Sequence, residues 1–207
     1  MTPQTAYPWE LPPSGTPALF AATLRGALPR LETARLVLRA PEICDFAIYR
    51  DIMMSDRALH MGGPLDRRAA WLDFTQVVAT WCLRGHGLFA IEAKDTGETL
   101  GFTLIGFEHG DREPELGWFL TEATEGKGYA YEAAKAVRDW GLDTLGLTAL
   151  VSYIDPPNTR SVRLAERLGG WLDPVASAVV SADQGEEVVV YRHWPPADSD
   201  GGMEAYA

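Results

Sequence analysis

Residues 121–135 read TEATEGKGYAYEAAK and place two glycines around Lys127, directly before an alanine-rich segment. Upstream, Pro114–Thr121 has the apolar content and alternation of a strand. Downstream, apolar residues recur at i, i+3, i+4, i+7 and i+10 from Ala130, which is the period of a helix. The stretch is therefore predicted to join a strand to a helix through a glycine loop.

A glycine loop in this place can bind phosphate, because its backbone N–H groups turn outward and the helix N-terminus adds positive potential. A flexible turn that only opens the helix is the alternative. A P-loop would need glycine at Thr121 and serine or threonine at Gly128, and a dinucleotide loop would need glycine or alanine at Tyr131. Both patterns fail, so nucleoside triphosphate and NAD sites are disfavoured.

Strand and helix patterns continue on both sides of this loop. The predicted strands are 35–40, 88–94, 98–108, 114–121, 147–154, 171–180 and 186–194. The predicted helices are 18–28, 41–55, a segment between 67 and 85, 130–141 and 158–170. Their order predicts an α+β domain with a mixed, mostly antiparallel central sheet of about seven strands and helices on both faces.

The chain length suits one domain with a single core. The 207 residues are 46% hydrophobic and carry a formal net charge of −11. We expect residues 1–30 to be a partly ordered extension, residues 31–194 to be the folded domain and residues 195–207 to be a disordered tail.

Charge and apolar runs exclude several classes of protein. A nucleic-acid binder needs clustered lysine and arginine, and no such run or stripe is present. The acidic balance is compatible with a cationic substrate, but simple solubility is the favoured explanation. The sequence contains neither a signal peptide nor the ~20 apolar residues of a membrane helix. Cys44 and Cys82 lack partners at metal spacing and are predicted to be buried free thiols in a cytoplasmic protein.

Glu125–Ala130 resembles motif A of the GNAT acyltransferase superfamily, Gln/Arg-x-x-Gly-x-Gly/Ala, with Gly128 and Ala130 at its last two places. Glu125 departs from the first place. Three further stretches resemble, in the right order, the branch that contains the ribosomal-protein N-terminal acetyltransferases (RimJ/RimL-like). They are LETARLVLRAP at 31–41, HMGGPLDRRAAW at 60–71 and DPPNTRSVRLAERLGG at 155–170. The resemblance covers roughly residues 31–194, and the joint spacing is more specific than any single motif.

The resemblance implies a GNAT fold, with a splayed strand before the loop, and acetyl-CoA as co-substrate without a metal. The loop amides would bind the coenzyme A pyrophosphate, and the splayed strand would pair with the pantetheine arm. The residues so implied are Trp118, Phe119, Leu120, Glu125, Gly126, Lys127, Gly128, Tyr129, Ala130, Asn158 and Ser161. Arg160 and Arg163 flank this helix turn and could meet the adenosine 3′-phosphate or equally form a solvated basic face. On patterning alone, the strand at 114–121 also reads as an ordinary buried strand.

Acetyl transfer to an amine needs a base for the ammonium proton and an acid for the leaving thiolate. Glu115 is the carboxylate nearest the implied splay, and partial burial there would raise its pKa. A surface glutamate at a strand end is the alternative. The resemblance implies that Ser161 returns the proton and that Asn158 holds the cofactor chain, while Asn158 also suits a helix cap.

The acceptor loop is expected to form one wall of the amine site, as in relatives, through His60, Met61, Gly62 and Gly63. The leading prediction is an acetyl-CoA-dependent N-acetyltransferase that transfers directly, in a ternary complex, to a peptide N-terminus or a small-molecule amine. A non-catalytic acyl-CoA binding or sensing module is the main alternative, and a structural partner-binding domain is a third. The acceptor and the oligomeric state, a homodimer included, stay open at this point.

Overall fold

The computed structural model describes residues 6–194, so the predicted tail at 195–207 lies outside the described residues. The strands are β1 Leu31–Glu32, β2 Leu36–Arg39, β3 Leu88–Ala93, β4 Thr99–Gly106, β5 Glu115–Leu120, β6 Leu150–Ile154, β7 Trp171–Asp173 and β8 Val189–Trp194. The α-helices are α1 Gly15–Gly26, α2 Phe46–Met53, α3 Arg67–Arg84, α4 Tyr129–Asp143, α5 Thr159–Arg167 and α6 Pro174–Gln184.

The strands form one eight-stranded sheet in the order β1-β2-β3-β4-β5-β6-β8-β7. Neighbouring strands are antiparallel except β5 and β6, which run parallel. This confirms the predicted α+β fold with a mixed, mostly antiparallel sheet. The additional strand is β1, whose two residues are too few to show a strand period.

The two faces of the sheet carry separate apolar cores. Helices α2 and α3 pack on one face around Phe102, and α4 packs on the other face with Val137 at its centre. Side chains of β5 alternate between the faces, with Leu116 on the α4 side and Phe119 on the α2 and α3 side. The same alternation puts Glu115 on the α2 and α3 face.

The prediction of one strand over residues 171–180 is wrong. Only Trp171–Asp173 is a strand, and α6 begins at Pro174. Asp173 caps this helix, because its Oδ1 accepts hydrogen bonds from the next two free N–H groups at 3.1 and 3.0 Å. Proline at the first helical position and Gly185 in a left-handed C-cap are the sequence signals that the valine content masked.

The prediction that the two cysteines are buried is also wrong, since Cys44 and Cys82 are both exposed. Before α1, the turn Pro8–Glu10 packs against the start of α3. The Trp9 ring meets the Trp71 ring edge-on, with centroids 4.7 Å apart. Helix α1 begins at Gly15 rather than at residue 18, and none of its residues is buried.

Candidate active site

A gap separates β5 from β6. The two strands pair at a single register position, Glu115 opposite Val151, where the Val151 N–H donates to the Pro114 carbonyl at 3.0 Å. Beyond that position the parallel pairing ends, while β5 remains paired with β4 along its whole length. This is the splayed strand pair that the sequence resemblance implied.

The even-numbered residues of β5 direct their backbone N–H and C=O groups toward this gap. The Leu116 carbonyl accepts a hydrogen bond from the Ser152 hydroxyl at 2.6 Å. The Leu120 carbonyl accepts two from the Arg57 guanidinium, at 2.8 and 3.1 Å. Both carbonyls therefore point away from β4. Trp118 lies midway between them in a ladder of period two, so its N–H and C=O also face the gap.

The other two predicted β5 residues have different surroundings. Phe119 is opposite Phe102 in the β4 ladder, and its ring packs on Tyr49 with centroids 5.5 Å apart. The Leu120 carbonyl is occupied by Arg57, as described above. Of the three β5 positions implied in cofactor binding, only Trp118 offers both backbone groups to the gap.

The glycine loop has the geometry of an anion cradle. Gly126 and Gly128 have φ values of 72° and 82°, which other residues rarely adopt, and Gly128 precedes α4 without a side-chain cap. The backbone N–H groups of the first turn of α4, from Tyr129 and Ala130 onward, have no intrahelical partners. They can donate to a bound phosphate. The loop residues therefore fit the diphosphate of coenzyme A.

Basic side chains surround the start of α4. Arg35 donates to the Lys127 carbonyl at 3.0 Å and lies 4.5 Å from the centroid of the Tyr129 ring. A groove of about 500 Å³ begins at Gly128 and runs along the outer side of α4, lined in part by Arg35, Lys135 and Arg167. The groove also contains Glu132 and Asp139, which pair with Arg35 at 2.7 Å and with Lys135 at 2.5 Å, so these partners neutralise much of the positive charge.

Glu125, the residue that departs from the family motif, faces two arginines. Its carboxylate is hydrogen-bonded to Arg57, and it accepts from Arg160 at 2.8 Å. Burial disfavours the charged form, but the hydrogen bonds and charges of both arginines outweigh burial and lower the pKa of Glu125. The carboxylate is ionised and neutralised by these partners.

Glu115 is partly buried at the origin of the gap. Burial, followed by the negative charges of Asp111 and Glu108, raises the pKa of Glu115 to about 8, although a hydrogen bond from the Tyr153 backbone N–H opposes the shift. A carboxylate with this pKa is basic enough to accept a proton from an ammonium group. The buried environment favours the functional interpretation of Glu115 over an ordinary surface glutamate.

Asn158 and Ser161 lie at the N-terminal end of α5. The Asn158 Oδ1 accepts a hydrogen bond from the Ser161 N–H at 3.2 Å, which caps the helix. Ser161 is partly buried, whereas Arg163 is exposed. Because Val162 and Trp118 belong to one apolar cluster, α5 packs beside the gap. Ser161 thereby lies in the first turn of a helix that packs beside the gap.

The acceptor loop extends to the end of β6. His60 Nδ1 lies 2.5 Å from Asp155 Oδ2, and Asp155 directly follows β6. Met61 packs against the core beneath α2 and α3. Gly62 has a φ of 74°, and a Cβ on Gly63 would lie 2.6 Å from another side-chain carbon. The loop thus requires both glycines for its shape.

Several residues around the gap were not found by sequence reasoning. They are Arg57, Asp155, Ser152 and His193. Arg57 lies three positions before His60 in the loop named as the acceptor wall, which was the one local signal. Ser152 and His193 are brought together where β6 pairs with β8, and Asp155 directly follows β6.

A second carboxylate lies on the Glu115 face of the sheet. The Tyr49 hydroxyl donates to Asp73 Oδ2 at 2.6 Å, and burial raises the pKa of Asp73. Asp73 and Asp111 in turn raise the pKa of Glu108, after burial. This face is therefore acidic beside Glu115.

Two classes of feature are missing from residues 6–194. No helix in that range combines the length and the apolar character needed to cross a membrane. No group of three or more His, Cys, Asp or Glu side chains there could hold a metal ion.

Comparison with known proteins agrees with this geometry. A model of the acetyltransferase (GNAT) domain family matches residues 35–170. The crystal structure of the acetyltransferase from Agrobacterium tumefaciens strain C58 is 43% identical, with a TM-score of 0.75, and the match covers 82% of this chain and 96% of that one. The uncharacterized protein YkkB of Bacillus subtilis strain 168 is 31% identical over 151 residues, 69% of this chain and 86% of YkkB.

A more distant match shows the fold alone. RimL, a ribosomal L7/L12 alpha-N-protein acetyltransferase in complex with coenzyme A, is 16% identical with a TM-score of 0.63, over 82% of this chain and 100% of that one. The family model covers the splayed strands, the glycine loop and α5 together. The chain therefore belongs to the GNAT acetyltransferase family.

Proposed function

We propose that residues 31–194 form an acetyl-CoA-dependent N-acetyltransferase that moves an acetyl group directly to a primary amine. The observation that carries this proposal is the gap between β5 and β6, which opens at a partly buried glutamate whose pKa is raised to about 8. Acetyl-CoA supplies an activated thioester, and fold neighbours such as RimL are solved with coenzyme A. The protein has to bind that thioester, accept a proton from the ammonium group and return a proton to the leaving thiolate.

The glycine loop and the gap account for binding. The amides of Gly126 to Ala130 would hold the diphosphate, and the Trp118 backbone would hold the pantetheine arm within the gap. The Trp118 N–H faces the gap, so it would be available to stabilise negative charge on the carbonyl oxygen of a thioester bound there. Arg163 would supply positive charge near the nucleotide end, and Arg35, which is paired with Glu132 at 2.7 Å, would contribute less.

Glu115 would act as the base. Its pKa of about 8 lies close to the usual pKa of an α-amino group, about 7.7 to 8.0, so proton transfer between them costs little. A lysine-type ammonium, with a pKa of about 10.4, is a poorer match. This comparison favours a peptide N-terminus or another amine of lowered pKa, and the acidic residues Asp73 and Asp111 would attract the cationic form.

Ser161 would return a proton to the leaving thiolate. Its backbone is fixed by the Asn158 cap at the start of α5, which packs beside the gap. His60, held by Asp155, would contact the acceptor from the opposite side. A module that only binds acyl-CoA would need the loop and the gap, but it would gain nothing from a glutamate with a raised pKa.

The test combines calorimetric titration with acetyl-CoA and a free-thiol assay over a panel of amines. The panel includes N-terminal peptides, polyamines and small primary amines. We expect binding of acetyl-CoA and thiol release with at least one α-amine. Binding without thiol release over the whole panel would support the non-catalytic module instead, and absence of binding would overturn the proposal.

A further inference from the structure

The β5–β6 ladder ends at a specific hydrogen bond that is not made. Its first bond runs from the Val151 N–H to the Pro114 carbonyl at 3.0 Å. In a parallel ladder the next donor on β6 is the Tyr153 N–H, and its acceptor on β5 is the Leu116 carbonyl. The pairing stops before this bond, since Glu115 opposite Val151 is the only paired position of the two strands.

A side chain occupies one of the two backbone groups, and a second side chain lies beside the other. The Leu116 carbonyl accepts the hydroxyl of Ser152 at 2.6 Å, and the Tyr153 N–H lies beside the Glu115 carboxyl group, where it opposes the rise in the Glu115 pKa. Buried backbone groups require partners, so the Ser152 hydroxyl removes one reason for the strands to pair. Glu115 is opposite Val151, and Ser152 is the next residue along β6. Because successive side chains of a strand point to opposite faces, Ser152 and Glu115 approach from opposite faces of the sheet.

His193 on β8 fixes the orientation of the Ser152 hydroxyl. His193 Nε2 lies 2.9 Å from the Ser152 Oγ. The single hydroxyl proton goes to Leu116, so Nε2 must carry the proton and donate to Ser152. Burial lowers the pKa of His193 to about 4, which keeps the ring neutral at physiological pH.

The His193 ring is tightly enclosed. Its Nδ1 is buried and lacks a hydrogen-bond partner among residues 6–194. A Cβ on Gly170 would lie 3.0 Å from the ring, so the close approach depends on glycine there. The ring is therefore held in place beside Ser152.

We propose that Ser152, supported by His193, is a positioning residue that ends the β5–β6 ladder and keeps the Trp118 N–H directed into the gap for the acyl donor. The next rung of a continued ladder would consume that N–H, because Trp118 follows Leu116 by two residues on β5. The link to the acyl donor rests on the proposed function, whereas the effect on the ladder does not.

Ser152→Ala tests the proposal. Loss of the hydroxyl leaves the buried Leu116 carbonyl without its donor, and the nearest replacement is the Tyr153 N–H. We expect the ladder to extend, the exchange of the Trp118 amide with solvent to slow by about tenfold and the affinity for coenzyme A to fall by about tenfold or more. Exchange is measured by NMR without ligand, and affinity by calorimetry with coenzyme A.

Ser181→Ala is the matched control. The Ser181 hydroxyl also donates to a backbone carbonyl, that of Val188 at 3.1 Å, but it lies between α6 and β8. A purely structural serine would lower the urea midpoint without changing the gap. We therefore expect Ser181→Ala to lower the midpoint and to leave Trp118 exchange and coenzyme A affinity unchanged, and Ser152→Ala to lower the midpoint no further.

The outcomes separate this proposal from the proposed function. Unchanged Trp118 exchange in Ser152→Ala overturns the proposal, whatever happens to affinity. Unchanged affinity in a variant with slowed exchange also overturns it. If the wild-type protein does not bind coenzyme A, the proposed function fails while the exchange measurement still tests the ladder. If Ser152→Ala does not fold, His193→Phe removes the supporting N–H and is expected to slow the exchange in the same direction.

Discussion

Two glutamates of the site have pKa values shifted in opposite directions by their surroundings. Glu115 faces burial and nearby carboxylates, and its pKa is raised to about 8. Glu125 is paired with Arg57 and Arg160, and its pKa is lowered. At the residue scale, the first is therefore suited to proton transfer, and the second is an ionised structural anchor.

The Glu115 assignment predicts a distinct pH profile. A base must be deprotonated to act, so turnover should rise as pH increases through about 8. Glu115→Gln should lower turnover by roughly 10²- to 10⁴-fold and remove this rise, with acetyl-CoA affinity retained. The measurement is the rate of thiol release from pH 6 to about 9.5. Glu122→Gln, an exposed glutamate in the turn after β5, is the control and should match the wild type.

The arginine pair around Glu125 predicts a second result. Arg57→Ala removes one neutralising charge and exposes the diphosphate to the Glu125 carboxylate, so acetyl-CoA affinity should fall by about tenfold. Glu125→Gln in the same chain removes that repulsion and should recover part of the loss. Calorimetry of the two single variants and the double variant gives the coupling. Additive effects would contradict the account.

Sequence reasoning can name a site residue only when that residue lies close to a motif along the chain. Glu115 and Ser161 can be named as candidates from sequence because each lies at a fixed distance from a motif on the same strand or helix, and their roles stay predictions. Ser152 and His193 are 41 residues apart, and Arg57 and Glu125 are 68 apart, and strand pairing or loop packing brings each pair together. No periodic pattern records such contacts, so sequence reasoning could not find them.

At the scale of elements, β8 is anchored by a buried ion cluster. Arg192 on β8 is 0% exposed and donates to Glu113 at 2.6 and 3.0 Å and to Asp173 at 3.1 and 3.0 Å. Asp173 also caps α6. The cluster joins the loop before β5, the end of β7 and the start of α6, next to the origin of the gap.

Removing the cation from this cluster should be severely destabilising. Arg192→Met leaves the Glu113 and Asp173 carboxylates buried without their partner, which costs about 3 to 5 kcal/mol. Urea unfolding measures the loss. Arg112→Met is the comparison, because its partner Asp183 is exposed, and it should cost less than about 1 kcal/mol. Equal losses would show that burial of the cluster is unimportant.

Helices and strands were predicted correctly where a long apolar pattern marked them. The prediction failed where a helix-capping signal decided the local structure. Helix α4 follows a clear apolar period, and β3 and β4 are short apolar runs buried along nearly their whole length, as is typical of strands covered on both faces. The segment from Trp171 to Val180 is rich in valine, which favours a strand, yet Asp173 and Pro174 start a helix there. The local capping signal outweighed the β propensity.

For the whole molecule, the sheet separates the two parts of the proposed site. The glycine loop and α5 belong to the α4 side, and Glu115 with Asp73 belongs to the α2 and α3 side. The fold class was predictable because the order of strands and helices, and four motif-like stretches, agreed with one architecture. Which residues face each other across the gap could not be predicted, since register is a property of the assembled sheet.

Global stability should depend on pH through Glu115. Its folded pKa is about 8 and its unfolded pKa is near 4.5, so the folded state binds more protons between these values and loses stability as pH rises through that window. Glu115→Gln should therefore be as stable as the wild type near pH 4.5 and more stable at pH 8.5, where its melting temperature should be higher by several degrees or more. Scans at both pH values test this, and an equal difference at the two would contradict it.

The most direct test of the central claim is a crystal structure of the protein with coenzyme A. The account predicts the pantetheine arm between β5 and β6 against the Trp118 backbone, the diphosphate on the amides of Gly126 to Ala130, and Glu125 still paired with arginine. A diphosphate bound away from the loop, or a Glu125 carboxylate facing the phosphates, would contradict it.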